Sequence, residues 1–171
     1  MPRHNLCRSF VLSLLVLASA PLAQGSPTEP LREVGSTTLK VMFWTVYDST
    51  LFSPSGNYRG IEPGLALQIE YRRNIDNQRL VDATRDQWQE LGLYREQSEQ
   101  WLDELTHLWP DIQRGDSITL LVEAGLSATS YFNEKRLGQI QDPRFTTDFL
   151  AIWLAENTRF PELRDELIGA R

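Results

Sequence analysis

Two adjacent arginines at the end of a strand-like segment are the first candidates for binding chemistry. Arg72 and Arg73 come directly after Tyr71, the last residue of the alternating segment L-A-L-Q-I-E-Y. A guanidinium group donates paired hydrogen bonds to a carboxylate, so two arginines beside a tyrosine predict an anchor for an acidic ligand. The alternative interpretation is that both arginines are solvated charges at a strand edge, where charge discourages aggregation. We predict Tyr71, Arg72 and Arg73 as candidate ligand-binding residues and keep the second interpretation open.

Aromatic side chains supply the second set of candidates. The chain contains five tryptophans, and Trp44 and Tyr47 lie in a segment that is rich in aromatic and β-branched residues. Such side chains are suited to the wall of an apolar cavity, although aromatic residues at core spacing usually form the core itself. We therefore add Trp44 and Tyr47 to the candidate ligand-binding residues.

Catalytic and metal-binding patterns are not evident in the sequence. His107 is the only histidine after residue 25, and the nearby acids Asp103 and Glu104 favour an ion-paired surface histidine over a metal site. The tripeptide Gly125-Leu126-Ser127 lacks the closing glycine of a nucleophile motif. No phosphate-binding loop or dinucleotide fingerprint is present. We predict no catalytic residue, no metal ligand and no cofactor.

The first 25 residues have the composition of an export signal. Arg3 and Arg8 precede an apolar run at residues 10–20, and small residues follow that run. This order is typical of a secretory signal peptide, and the run is well short of the roughly 20 residues that span a bilayer. We predict cleavage near Ala23 or Gly25 and a periplasmic mature protein.

Charge and cysteine content narrow the function classes. The formal net charge is −6, and removal of residues 1–25 takes away two of the 17 basic residues and none of the 23 acidic ones, so the mature charge is −8. An acidic balance argues against general nucleic-acid binding. The single cysteine, Cys7, lies in the predicted signal, so thiol and disulfide chemistry are excluded from the mature protein. No later segment is apolar enough to span a membrane, and the sequence does not define an oligomeric state.

The rest of the chain predicts a short leader and one domain. Residues 26–33 are polar and contain two prolines, which predicts a mobile leader, and residues 34–171 form the domain. Hydrophobic periodicity predicts strands at Thr37–Phe52, Leu65–Tyr71, Ser117–Glu123, Leu126–Phe132 and Leu137–Ile140, with Glu134 and Lys135 in the last turn. It predicts helices at Asp76–Leu91 and Arg95–Leu108, a helix opened by Asp142-Pro143, and a closing helix around Leu163 and Leu167. This order predicts an α+β fold, a largely antiparallel sheet with helices on one face.

An ordered set of motifs resembles the bacterial exported chalcone-isomerase-like proteins. The set consists of V-Y-D-S-T-L-F (Val46–Phe52), L-A-L-Q-I-E-Y-R-R (Leu65–Arg73), W-x-x-x-L-x-x-L-W-P-D-I-x-x-G-D (Trp101–Asp116), F-L-A-I-W-L (Phe149–Leu154) and P-E-L-R-D-E-L-I-G (Pro161–Gly169). The resemblance spans about residues 34–169. It implies an open-faced β-sandwich of chalcone-isomerase type, in which a helical layer covers one face of a large antiparallel sheet.

The resemblance does not extend to the catalytic set of plant chalcone isomerases. Those enzymes bind the developing enolate oxygen through an arginine and a threonine on their first long strands. Alignment of the segment L-K-V-M-F-W-T-V-Y places Tyr47 on the family tyrosine, but it places Met42, which cannot donate a hydrogen bond, at the threonine. The arginine position falls near Pro30, with Arg32 as the nearest substitute. Non-catalytic proteins of this fold include fatty-acid-binding proteins, in which arginine and tyrosine hold the carboxylate.

Three hypotheses follow from these residues and from the resemblance. The first is an exported, non-catalytic module that binds a small apolar or amphipathic ligand such as a fatty acid, with Tyr47, Tyr71 and Arg72 as possible contacts. The second is an intramolecular lyase-type isomerase that acts on a conjugated ketone. The third is an envelope interaction protein without a small ligand. An apolar cleft with few polar anchors would favour the binding module. Polar donors at the enolate oxygen would favour the isomerase. An exposed apolar patch outside any cavity would favour the envelope interaction protein.

Overall fold

A computed structural model describes residues 25–170. Within them, each strand pairs antiparallel with the next strand in the chain, which gives one six-stranded sheet in the order β1 to β6. The strands are β1 (Arg32–Val41), β2 (Trp44–Ser53), β3 (Ala66–Tyr71), β4 (Ser117–Val122), β5 (Ala128–Phe132) and β6 (Lys135–Ile140). The predicted signal peptide, residues 1–25, lies outside the described residues apart from Gly25.

Four helices form a layer on one face of this sheet. They are α1 (Asn77–Glu90), α2 (Glu96–Leu108), α3 (Pro143–Leu154) and α4 (Pro161–Leu167). The side chains of Asp76 and Asp142 accept hydrogen bonds from the first-turn backbone N–H groups of α1 and α3, which is why these helices begin where the sequence predicts. The predicted α+β class and open-faced β-sandwich are confirmed. No helix within residues 25–170 is both long enough and apolar enough to cross a membrane.

One strand prediction is wrong. The segment Thr37–Phe52, predicted as a single long strand, is the hairpin of β1 and β2, in which Val41 pairs with Trp44 across the two-residue turn Met42-Phe43. Met42 has a φ of 55°, a left-handed conformation that is usually occupied by glycine or asparagine. Because the turn contains neither glycine nor asparagine, the apolar segment continues through it, and the sequence does not indicate that the strand ends there.

Smaller boundary differences occur at both ends of the sheet. Strand β1 begins at Arg32, so the last two residues of the predicted leader 26–33 pair within the sheet. In the last hairpin Asn133 and Glu134 form the turn, with φ values of 45° and 70°, and Lys135 begins β6. Leu126 lies in a short 3-10 turn before β5 instead of beginning that strand.

The main core lies between the sheet and the helical layer. Trp88, Trp101 and Phe145 are fully buried, and their rings meet edge-on with centroids 5.8 to 6.4 Å apart. The Trp88 indole N–H donates a hydrogen bond to the backbone carbonyl of Asp148 at 2.9 Å, so its polar atom is satisfied. This aromatic cluster joins α1, α2 and α3 into one layer.

Helix α4 approaches the edge strand β1 very closely. A β-carbon at Gly35 would overlap the backbone carbonyl oxygens of Glu166 and Leu167, so the contact requires glycine. Thr37 Oγ1 also donates a hydrogen bond to the Glu166 carboxylate at 2.5 Å. Together these contacts fix α4, which carries Arg164, beside the helix-covered face of β1 and β2.

Candidate functional site

A cavity of about 680 Å³ lies between the first three strands and the helical layer. Side chains from the helix-covered face of β1, β2 and β3 form one wall, and side chains from α1, α3, α4 and the α3–α4 connection form the other. Most of the lining is apolar. On the helical side Trp109, Phe149 and Trp153 pack in series, with successive ring centroids 5.7 and 5.4 Å apart.

Tyr47 and Tyr71 form the aromatic part of the sheet wall. They are register partners on β2 and β3, and their rings meet edge-on with centroids 6.2 Å apart. Burial raises the pKa of Tyr47 to about 12, against the weaker opposing effect of a hydrogen bond from Trp153. Burial, reinforced by Tyr47, raises the pKa of Tyr71 still further. Both phenols therefore remain neutral near pH 7 and can donate hydrogen bonds.

Further hydrogen-bond donors line the same cavity. Tyr47 Oη accepts a hydrogen bond from Trp153 Nε1 at 3.0 Å, which leaves its own O–H available as a donor. Ser49 Oγ and Trp109 Nε1 are buried and have no hydrogen-bond partner among residues 25–170. A buried polar atom without a partner is energetically costly, so these two groups mark positions where a ligand atom could be stabilised.

The charged side chains that line the cavity are all basic. They are Lys40, Arg79, Arg159 and Arg164, and no aspartate or glutamate lies among the described lining residues. Arg79 and Arg159 are largely exposed and pair with Asp76 and Glu90 at 3.1 and 3.2 Å. The chain as a whole has a net charge of −6, so the cavity lining is more positive than the rest of the protein. This local positive charge favours binding of an anion.

Arg164 is the most enclosed of these cations. Its side chain is 18% exposed, its Nε donates to the backbone carbonyl of Leu154 at 2.8 Å, and its Nη1 lies 3.4 Å from the Asp165 carboxylate. A guanidinium has five N–H donors, so these contacts leave donors for a further acceptor. The bond to Leu154 orients the side chain, so the guanidinium has a geometry that could pair with a carboxylate without first rearranging.

The five predicted binding residues lie on two different faces of the sheet. Tyr47 and Tyr71 line the cavity, whereas Trp44, Arg72 and Arg73 line a groove on the opposite, uncovered face. Successive strand residues point to opposite faces, so the arginine directly after Tyr71 cannot share the face of Tyr71. The predicted grouping of Arg72 with the two tyrosines is therefore not what the structure shows.

Arg72 is already engaged on its own face. Its guanidinium contacts the Asp48 carboxylate at 2.5 Å and the Glu70 carboxylate at 2.6 Å. Arg73 lies over the Trp44 ring, 5.7 Å from its centroid. Both arginines are exposed charges, but they follow β3, an interior strand of the sheet, and so do not lie at a sheet edge.

Arg164, Ser49 and Trp109 were missed as site residues by the sequence reasoning. Arg164 lies in a short helix beside acids and reads as part of a solvated face, and Ser49 reads as an ordinary strand residue. The sequence indicates Arg164 only indirectly, because this residue belongs to the motif Pro161–Gly169, one of the motifs that carry the family resemblance.

His107 and Met42, the residues considered for metal and isomerase chemistry, both have exposed side chains. His107 is exposed, with Nδ1 2.7 Å from the Asp103 carbonyl oxygen and 3.8 Å from its carboxylate. Within residues 25–170 no group of three or more histidine, cysteine or acidic side chains could hold a metal ion. Met42, which aligns with the isomerase threonine, lies in the β1–β2 turn with 85% of its surface exposed, and Pro30 precedes β1.

The six-stranded antiparallel sheet with its helical layer is the fold of the chalcone isomerase-like family. The chain matches that family over residues 29–169 and belongs to it.

Two particular proteins resemble the chain. An uncharacterized protein of Haemophilus influenzae is 27% identical over 162 residues, which cover 94% of this chain and 76% of that protein. The crystal structure of a fatty-acid binding protein from Arabidopsis thaliana superposes with a TM-score of 0.63 at 11% identity, covering 83% of this chain and 88% of the other. The second similarity is one of fold.

Proposed function

We propose that this protein binds a small amphipathic anion, such as a fatty acid, in its cavity and does not transform it. The observation that carries the proposal is an apolar cavity of about 680 Å³ whose charged lining residues are all basic, with Arg164 partly enclosed in its wall. The volume lies within the roughly 300–1,000 Å³ typical of small-molecule sites.

The expected ligand has its charge near Arg164 and its chain along the aromatic wall. A carboxylate that leaves water needs a cation or several donors, because an unpaired buried charge is strongly disfavoured. The hydroxyl groups of Ser49 and Tyr71, which lie on the sheet wall of the cavity, are neutral. They would stabilise an uncharged hydrogen-bond acceptor better than a carboxylate. The alkyl chain then contacts Phe149 and Trp153, where burial of apolar surface stabilises it.

The similarity of fold to a fatty-acid binding protein supports this proposal. The Arabidopsis protein of the same fold is described as a fatty-acid binding protein, and family membership is compatible with either catalysis or binding. Isomerisation of a conjugated ketone requires a donor at the enolate oxygen, and Met42 supplies none at the position that aligns with the family threonine. The donors that line the cavity, Tyr47, Tyr71 and Ser49, lie at other positions. We expect chalcone absorbance to decay in the presence of the protein at the rate in buffer alone.

The test is calorimetric titration of the delipidated protein with oleate. Arg164→Gln is expected to weaken oleate binding by about tenfold to a hundredfold, since a charge-assisted hydrogen bond contributes ~1.5–3 kcal/mol. Ala83→Trp, which adds a bulky side chain at an exposed lining position, is expected to reduce binding by steric filling. Arg72→Ala, on the opposite face, is the matched control and should leave the affinity unchanged.

Three results would contradict the proposal. The first is no oleate binding by the wild-type protein, and the second is equal affinity of the wild type and Arg164→Gln. The third is loss of binding in Arg72→Ala alone, which would move the site to the uncovered face. Thermal unfolding of each variant shows whether a loss of binding reflects a loss of folded protein.

We also propose that the protein is exported through its N-terminal segment. Support comes from the charged, apolar and small-residue order of residues 1–25. N-terminal sequencing of the protein from the periplasmic fraction of an expressing bacterium is expected to give a chain that begins at Gln24 or Ser26. Recovery of the chain from the cytoplasm with residues 1–25 intact would contradict export.

A further inference from the structure

The tip of the β1–β2 hairpin exposes four consecutive apolar side chains. Val41, Met42, Phe43 and Trp44 are 50%, 85%, 94% and 66% exposed. Elsewhere in residues 25–170 the exposed large apolar residues are single ones, Tyr94 and Phe160, each at 36%. A contiguous exposed patch of this kind on a folded domain marks an interaction surface.

Folding alone does not account for this composition. Met42 holds a φ of 55° in a two-residue turn, where glycine or asparagine would be less strained. Its side chain is almost entirely in solvent, so it contributes little to the core. Large apolar residues at both turn positions therefore cost folding stability, through backbone strain at Met42 and apolar surface left in water. A role of these side chains in binding a partner would explain why they are present.

Basic side chains lie beside the hairpin tip. A groove of about 630 Å³ on the uncovered face is lined by Lys40, Arg73 and Arg114 together with Trp44. None of these three cations has a carboxylate of residues 25–170 within 4 Å, whereas Arg72 in the same groove is paired with Asp48, the one acid in the groove lining, and with Glu70. Lys40 acts on Asp48 only through the weaker longer-range attraction, and Arg73 lies over the Trp44 ring. The combination of an apolar tip and these cations is complementary to an anionic lipid surface.

The same tip forms part of the entrance to the ligand cavity. Val41 and Met42 are exposed tip residues that also line the cavity, and the preceding Lys40 lines both the cavity and the groove on the uncovered face. The exposed ring of Phe160, from the α3–α4 connection, also lines the cavity. A surface that received the hairpin tip would therefore face the cavity entrance.

We propose that the hairpin tip, Val41–Trp44, inserts into the interface of an anionic phospholipid membrane and brings the cavity entrance to the lipid surface. Met42 and Phe43 enter the acyl boundary, while Lys40, Arg73 and Arg114 contact the phosphate groups. An amphipathic ligand then exchanges between membrane and cavity without crossing bulk water. This docking is an interaction additional to ligand binding in the cavity.

The test is flotation of the purified protein with vesicles of phosphatidylglycerol and phosphatidylcholine, compared with vesicles of phosphatidylcholine alone. The wild type is expected to bind the anionic vesicles, and less so at high salt. Phe43→Ser/Trp44→Ser is expected to reduce partitioning about tenfold or more, because it removes the two exposed rings. Lys40→Gln/Arg73→Gln is expected to reduce binding to the anionic vesicles by about fivefold per cation. Tyr94→Ala, an exposed aromatic outside the hairpin, is the matched control and should bind as the wild type does.

Two further measurements separate docking from a structural effect. Met42→Gly should be at least as stable as the wild type, because glycine relieves the positive φ, yet should bind vesicles more weakly. Lipids brominated near the carbonyl end of the acyl chain should quench tryptophan fluorescence in the wild type, and Trp44→Phe should lose most of that quenching while still floating.

Absence of wild-type flotation with the anionic vesicles would overturn the proposal, as would unchanged flotation of Phe43→Ser/Trp44→Ser. So would a concentration-dependent dimer that the hairpin variants convert to monomer without any vesicle binding, because the tip would then be a contact between copies. Oleate titration without vesicles reports on the cavity separately, so failure of docking and failure of ligand binding are distinguishable.

Discussion

The two faces of the β1–β3 region use similar residue types for different purposes. On the covered face Tyr47 and Tyr71 pack edge-on beside a cavity in which Arg164 is the most enclosed of the four basic lining residues. On the uncovered face Arg72 is held between Asp48 and Glu70, and Trp44 is open to solvent. An arginine with two carboxylate partners is a poor ligand anchor, because binding would have to displace those partners. The number of carboxylate partners and the enclosure of the side chain therefore distinguish the proposed anchor, Arg164, from the surface charge, Arg72, although both residues are arginines.

The largest expected effect is the difference in stability between a tryptophan of the helical layer that covers the sheet and a tryptophan on the uncovered face. Trp88 is fully buried and donates to the Asp148 carbonyl, so Trp88→Ala should lower the free energy of unfolding by ~3–5 kcal/mol. Trp44 is 66% exposed, so Trp44→Ala should change it by no more than ~0.5 kcal/mol. Urea denaturation of both variants measures the difference. Equal losses would mean that the hairpin tip is packed in solution and not exposed.

A second contrast concerns the contact between α4 and β1. Gly35→Ala places a β-carbon against the carbonyl oxygens of Glu166 and Leu167, and we expect a loss of ~1–3 kcal/mol from the resulting overpacking. Because α4 carries Arg164, oleate affinity should fall as well. Ser36→Ala, at the exposed neighbouring position, is the control in the same denaturation and titration experiments. A Gly35→Ala variant with wild-type stability would contradict the close approach.

The covered face should also respond to alkaline pH through Tyr47. Its pKa is raised by burial from 10.0 to about 12, so the folded state retains a proton that the unfolded state releases. The resulting contribution to stability is complete below pH 10 and is lost as the pH rises from about 10 to about 12. Urea denaturation across this range should show a shallower decline for Tyr47→Phe than for the wild type. Parallel declines would show that this phenol is not protected in the folded protein.

The smallest contrast lies on the uncovered face at acidic pH. A hydrogen bond from Thr38 lowers the pKa of Asp48 more than burial raises it, and Arg72 and Lys40 lower it further. The stability from this depressed pKa is present above the ordinary value of 3.8 and is lost as the pH falls through the folded pKa. Because the Asp48–Arg72 ion pair is partly solvated, its contribution to the free energy of unfolding should stay below about 1 kcal/mol. Asp48→Asn should remove it, and acid denaturation curves identical to the wild type would show that the group is solvated in both states.

Much of the fold could be predicted because its signals are local. Asp76 and Asp142 mark the helix starts, and the alternation of Leu65 to Tyr71 marks a strand. The β1–β2 hairpin could not be predicted, because Met42 adopts its positive φ without a glycine or asparagine to indicate a turn.

The candidate site could be predicted only in part. Tyr47 and Tyr71, which are aromatic residues on neighbouring strands, are among the predicted ligand-binding residues. They are register partners on one face of the sheet and form part of the cavity wall. The proposed anchor Arg164 comes from a helix that is 117 residues beyond Tyr47 in the chain, and the packing of α4 against β1, at Gly35 and Thr37, brings it to the same cavity. Local pattern carries no information about such a pairing, so the adjacent Arg72 was the more visible candidate.

The most direct test of the account is the position at which a fatty acid attaches to the protein. A fatty acid with a photoreactive diazirine near its carboxyl group is irradiated with the purified protein, and the labelled peptides are identified by mass spectrometry. We predict adducts in the segment from Phe160 to Leu167, around Arg164, and their loss when excess oleate competes. Oleate-competed adducts confined to the segment around Arg72 and Arg73 would contradict the account, because they would place the bound carboxylate on the uncovered face.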